Sequence, residues 1–176
     1  MNLEYDRRTI LLHWASAFLI AALWVAGQTI DFFPRGMPRT SARSLHITGG
    51  VLLALLLAVR IAWRLRGGVR LPAAAEGAAG QAAKAGHGLL YLLMASVVLL
   101  GLACVWIRGD TWFNVFTVPA FDPANKALRH DAVELHGLLA NALLIAAAAH
   151  AALAVWHQVV RKDGVLRRMW PGWGPH

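Results

Sequence analysis

Three histidines interrupt an otherwise uncharged stretch in the last quarter of the chain. Residues 135–160, LHGLLANALLIAAAAHAALAVWHQVV, contain no Asp, Glu, Lys or Arg, yet carry His136, His150 and His157. His136 and His150 are fourteen residues apart, close to four helical turns, so a helix would place them on one face. At about 1.5 Å per residue they would lie about 21 Å apart along the axis, most of the way across a hydrocarbon layer of about 30 Å. An imidazole at such depth is costly unless a partner satisfies it. Stacked, uncharged nitrogen donors in apolar surroundings suit a metal-bearing cofactor held between helices.

The elements that position these residues follow from the apolar runs. The chain has 176 residues, 58% of them hydrophobic and 15% charged. A soluble domain carries nearer a quarter charged, so this reads as an all-α integral membrane protein with room for four spans and little else. The spans are expected at about residues 9–30, 44–64, 84–107 and 133–160, forming a single membrane domain over residues 1–176. A cleaved signal peptide is set aside, because residues 9–30 run uncharged for longer than a signal h-region. The segments between the spans hold the helix breakers Pro34, Gly36 and Pro38, a Gly-, Ala- and Pro-rich connector at 67–80, and an aromatic loop at 108–131. The tail from Arg161 is basic and tryptophan-rich, as a segment lying on membrane lipid would be.

Charge gives an orientation and excludes a function. The net charge of +8 does not signal nucleic-acid binding, since the basic residues flank apolar spans. Eleven of the seventeen Lys and Arg lie on the side of the two termini and six on the other, which predicts cytoplasmic termini by the positive-inside rule. Cys104 is the only cysteine, which excludes an internal disulfide, a thiolate cluster and C-x-x-C-H haem attachment.

With four alternating spans, the histidines sort by depth. His46 and His136 fall near the outer ends of the second and fourth spans, His13 near the inner end of the first, and His150 in the inner half of the fourth. Each level pair comes from two helices, so one plane can be gripped from both faces. A b-type haem needs this arrangement: two trans imidazoles on iron, and small residues to admit the ring. Gly49 and Gly50, Ser16 and Ala17, Ala146 and Ala147, and Ala140 lie one turn from the four histidines. Interhelical hydrogen bonding of the histidines is the plainer alternative. A metal transporter would want carboxylates beside histidine in mid-membrane, and the spans hold none there. Two histidines on each iron would leave no open position for oxygen, so outer-sphere electron transfer is the expected chemistry. Toward the inner end, His157 and His87, with Gln81, Lys84 and Arg161 nearby in sequence, have the donors and acceptors that a quinone head requires. His130 and the terminal His176 are expected at the surface.

Seven stretches carry a resemblance that spans nearly the whole chain: YDRRTILLHW at 5–14, FFPRG at 32–36, LHITGG at 45–50, HGLLYLL at 87–93, RGDTWF at 108–113, LHGLLAN at 135–141 and HAALAVWHQVVRKDG at 150–164. They resemble the bacterial cytochrome b561 family, and within it the superoxide oxidase branch. The fourteen-residue histidine spacing is also similar to diheme cytochrome subunits of membrane formate dehydrogenases and nickel hydrogenases. The resemblance implies a four-helix bundle binding two b haems, with His13 and His150 on the inner iron and His46 and His136 on the outer. It implies ubiquinone as acceptor toward the inner end, where His87 and His157 could otherwise simply anchor helix ends at the interface, superoxide as donor at the periplasmic face, and residence in the bacterial inner membrane. The basic outer loops suit an anionic donor. An electron-relay subunit docked to a periplasmic dehydrogenase or hydrogenase is the alternative, although the small loops point to no obligatory protein partner.

Overall fold

A computed structural model describes residues 4–72 and 76–170. Four long helices run α1 Arg7–Thr29, α2 Met37–Arg66, α3 Gly77–Arg108 and α4 Lys126–Trp156. All four are long and apolar enough to cross a membrane. They form an up-down-up-down bundle in which α1 packs along α2, α2 along α3 and α3 along α4, while α1 and α4 approach over fewer residues. Large apolar side chains point outward, with Phe18 77% and Ile145 70% exposed, as lipid-facing residues must be. The buried core is a thin mid-depth plug of Leu53, Leu57, Met94, Val97 and Leu143.

The helices outrun the apolar runs at their starts. α2 begins at Met37, within the segment expected to be a loop, because Gly36 takes φ 101° and Pro38 sits in the first turn, where its missing N–H costs nothing. α3 begins at Gly77, inside the expected connector, whose alanines favour helix. α4 begins at Lys126, where the Asn125 side chain accepts from the Leu128 amide at 2.9 Å. Hydropathy reads only the lipid-embedded part of a helix, so these first turns escaped it.

The bundle has two distinct ends. At one, the Asp6 carboxylate accepts from the Thr9 amide at 2.9 Å and Thr9 Oγ1 at 2.6 Å, capping α1. It also accepts from Trp63 Nε1 and the Val69 amide, each at 3.2 Å, tying α1 to the end of α2. Burial alone would raise this carboxyl, but these hydrogen bonds override it and hold Asp6 at about 2. The Tyr5 amide donates to the Arg168 carbonyl, and Arg168 Nη1 donates to the Pro72 carbonyl, so the N-terminal segment, the connector and the tail meet here. Connector residues 73–75 and tail residues 171–176, including His176, lie outside the described residues.

At the other end, a two-stranded hairpin, β1 Thr111–Trp112 and β2 Phe116–Thr117, caps the bundle. Phe113 and Asn114 take left-handed φ values of 49° and 56° in its tight loop. The buried Ser44 hydroxyl accepts from the Phe113 amide at 2.9 Å, and Trp112 Nε1 donates to Thr48 Oγ1 at 2.9 Å. The hairpin is thereby seated on α2.

Candidate functional site

Each histidine pair comes together across a helix interface. The His13 and His150 rings lie 6.3 Å apart between centroids, at 66° between planes. The His46 and His136 rings lie 6.2 Å apart, at 86°. The two pairs straddle the apolar plug, one toward each end of the bundle. Two metal–imidazole bonds of about 2.0 Å, with centroid-to-nitrogen offsets of about 1.1 Å on each side, span about 6.2 Å. Both separations match two imidazoles held on opposite sides of one metal ion. Among the described residues no three His, Cys, Asp or Glu side chains converge as a metal cage would need.

The pair at the hairpin end adjoins a cavity of about 260 Å³ lined largely by apolar groups, including Leu23, Leu53, Val97 and Leu143. His46 Nδ1 and His136 Nδ1 are both buried without a hydrogen bond of sound geometry. The Leu23 backbone lies beside the His46 ring and the Val97 backbone beside the His136 ring. Glycines face both rings. A Cβ on Gly27 would lie 3.2 Å from His46 Cε1, and one on Gly101 would lie 2.9 Å from His136 Cε1. Apolar walls, two opposed imidazoles and a glycine on the far helix beside each ring fit a flat, apolar, metal-centred macrocycle.

These glycines were not singled out from sequence. Gly27 and Gly101 lie on α1 and α3, at the depth of histidines on α2 and α4, so only the packing of different helices reveals their role. Gly49, expected to make room beside His46, instead serves helix packing: its Cβ would meet Leu23 Cδ2 at 2.7 Å. Gly50 does line the cavity. Ser16 is fully buried, and its hydroxyl donates back to the Leu12 carbonyl at 2.7 Å.

At the Asp6–Trp63 end, the structure gathers some of the expected residues and separates others. The His87 ring lies 5.2 Å from His150, closer than His13 does, and its Nδ1–H donates to the Ala83 carbonyl at 2.7 Å. His157 does not join this cluster. It opens a π-helical turn, His157–Arg161, and its Nδ1 lies 2.6 Å from Asp163 Oδ2. Burial opposes ionisation of Asp163, but hydrogen bonds from His157 and Val165, with the Arg161 charge, hold it below the usual carboxylate range. Gln81 is exposed on the second turn of α3. His130 is exposed at the hairpin end.

Outside the His46–His136 cavity, the hairpin end opens into a basin of about 690 Å³ whose basic lining is Arg43, Arg108, Lys126 and Arg129, with Asp110 its carboxylate. Arg43, Arg108, Asp110 and Val133 line both spaces.

Comparison with known proteins places this geometry in a family. Residues 4–172 match the family model described as prokaryotic cytochrome b561. The chain is similar to the probable superoxide oxidase CybB of Yersinia pestis, 29% identical with 97% of this chain and 98% of the relative covered. It is similar to cytochrome b561 homolog 1 of Escherichia coli K12, 28% identical over 96% and 97% of the two chains. It is also 32% identical to cytochrome b562 of Cereibacter sphaeroides, with 94% of each chain covered. The family match spans all four helices and both histidine layers, and the chain therefore belongs to the prokaryotic cytochrome b561 family of multi-pass, haem-binding membrane electron-transfer proteins.

Proposed function

We propose that this protein is a diheme superoxide:ubiquinone oxidoreductase of the bacterial inner membrane. The observation that carries the diheme core of the reading is the pair of matched histidine separations, 6.3 and 6.2 Å, one toward each end of the bundle. In this reading His13 and His150 hold the inner haem b, and His46 and His136 the outer. Bound haem would supply reversible one-electron chemistry between the two faces. Two imidazoles on each iron would leave no open position for oxygen.

The orientation has both termini in the cytoplasm. Eleven of seventeen Lys and Arg lie on that side, and the contacts of Tyr5, Pro72 and Arg168 gather the N-terminal segment, connector and tail at one end. The basin of Arg43, Arg108, Lys126 and Arg129 then faces the periplasm and draws a small anion toward the outer site. The name of the Yersinia pestis relative supports superoxide as that anion. Two superoxide ions each give one electron and leave as oxygen, and ubiquinone takes the two electrons and two cytoplasmic protons to become ubiquinol. His87, its Nδ1–H spent on Ala83, keeps Nε2 as acceptor beside His150. His157 on Asp163 is the second imidazole at this end, and the exposed Gln81 of α3 is the amide assigned to the same site.

The test is rapid mixing of the purified, oxidised protein with superoxide while a ubiquinone analogue is present. Reduction of the b bands, ubiquinol formation and oxygen release without matching peroxide are the expected result. Bands that respond to quinol and ignore superoxide would replace superoxide with a periplasmic protein donor.

A further inference from the structure

The boundary between the outer basin and the His46–His136 cavity is a three-residue charge bridge. Asp110 lies directly after the αL residue Gly109, which ends α3, and its side chain is only 10% exposed. Its Oδ1 meets Arg43 Nη1 of α2 at 3.6 Å and Arg108 Nε of α3 at 3.5 Å. All three residues line both spaces. The Asp110 backbone is fixed as well: its amide donates to the Val105 carbonyl, and its carbonyl accepts from the Val118 amide, pinning it to the helix end and the hairpin. One nearly buried carboxylate thus sits between two guanidiniums, where a negative charge acts through little water.

We propose that Asp110 is a positioning residue that fixes Arg43 and Arg108 across this boundary and thereby sets the charge at the edge of the outer haem. The inference rests on the reading that a haem lies between His46 and His136. With Asp110 ionised, the bridge carries one net positive charge. Without that carboxylate it carries two, in fixed view of the cavity. A more positive edge favours the reduced haem and draws an anionic donor faster. Burial pushes the Asp110 carboxyl up despite the two guanidiniums, so its titration lies above the ordinary carboxylate range. The other charged or titratable groups facing this region are Asp31 beside the cavity with its ion-pair partner Arg39 of α2, the Cys104 thiol of α3, and Lys126, Arg129 and the titratable His130 of α4 around the basin.

The experiment is a mediator-coupled redox titration of the haem-loaded wild type, Asp110→Asn and Asp110→Glu at several pH values. The outer wave is assigned by its loss in His46→Ala. Asp110→Asn moves the outer midpoint positive and leaves the inner one in place. The wild-type outer midpoint falls as pH rises through the Asp110 titration, and Asp110→Asn abolishes that component, including against the His130 background. Asp110→Glu restores both. Arg108→Gln, which removes a positive charge from the same bridge, moves the outer midpoint negative. An outer midpoint unmoved by Asp110→Asn, or both midpoints moved alike, overturns the proposal. Superoxide is absent from this titration, so an outer haem that ignores superoxide leaves the Asp110 result standing. A protein that takes up no haem removes the functional reading and the inference together.

Discussion

At the scale of single residues, the site depends on which atoms stand beside the imidazoles. Gly101→Ala would bring a Cβ to 2.9 Å of His136 Cε1, within the helix-held contact where neither backbone can yield easily. Haem content measured as the pyridine haemochrome should fall by about half, as expected if one of two bis-histidine sites fails. Gly88→Ala on the same helix meets nothing within 4 Å and should retain full haem while stabilising α3 by up to about 1 kcal/mol. Equal haem loss in the two variants would remove Gly101 from the site. Gly109 is constrained twice over. It takes φ 68°, and its Cβ would lie 2.8 Å from Ala120 Cβ. Gly109→Ala should therefore cost about 1–3 kcal/mol, read as a lowered Tm in detergent.

At the scale of elements, the helix ends are held by polar contacts that hydropathy cannot see. Asp6 caps α1 and holds Trp63 and Val69, so Asp6→Ala should destabilise the bundle by about 1–2 kcal/mol. The pH dependence has a definite sign. The Asp6 pKa is depressed from about 3.8 to about 2, so its contribution is fully present above the unfolded value and is lost as pH falls between the two. Unfolding of wild type and Asp6→Asn across this window should converge at the acid end; parallel curves would remove Asp6 from the linkage. Between the two histidine layers, Trp24 Nε1 donates to Asn141 Oδ1 at 2.7 Å, joining α1 to α4, the neighbouring pair that approaches over the fewest residues. Trp24→Phe leaves that amide unpaired at membrane depth and should cost about 0.6–2 kcal/mol, measured by denaturant unfolding.

At the scale of the whole molecule, function follows from a difference between the two ends. One end gathers Tyr5, Pro72 and Arg168, His87 and the His157–Asp163 pair. The other carries the hairpin, the basic basin and the Asp110 bridge. A donor steered by that basin should react with strong dependence on ionic strength. Replacing Lys126 and Arg129 together by Gln should slow reduction by superoxide by about 3- to 10-fold at low salt and flatten the salt dependence. An unchanged rate would place anion entry elsewhere on this face.

The sequence by itself determined the membrane class, the four spans and the histidine depths, because hydropathy and helical rise are local and cumulative. Fourteen residues between His136 and His150 fix an axial separation whatever surrounds them. The helix starts were hidden, since the first turns of α2, α3 and α4 rest on Gly36, alanine propensity and the Asn125 cap rather than on apolar runs. Tertiary structure alone decided what faces what. Rotation of each helix about its axis brought the histidine rings to 6.3 and 6.2 Å, put Gly27 and Gly101 against two of them, and assigned Gly49 to packing against Leu23. It also set His157 on Asp163 and Asp110 between Arg43 and Arg108. Most of those relations join residues far apart in the chain, and the facing of one helix toward another is set by the packing of the whole bundle; the His157–Asp163 pair, six residues apart, depends on the turn that ends α4.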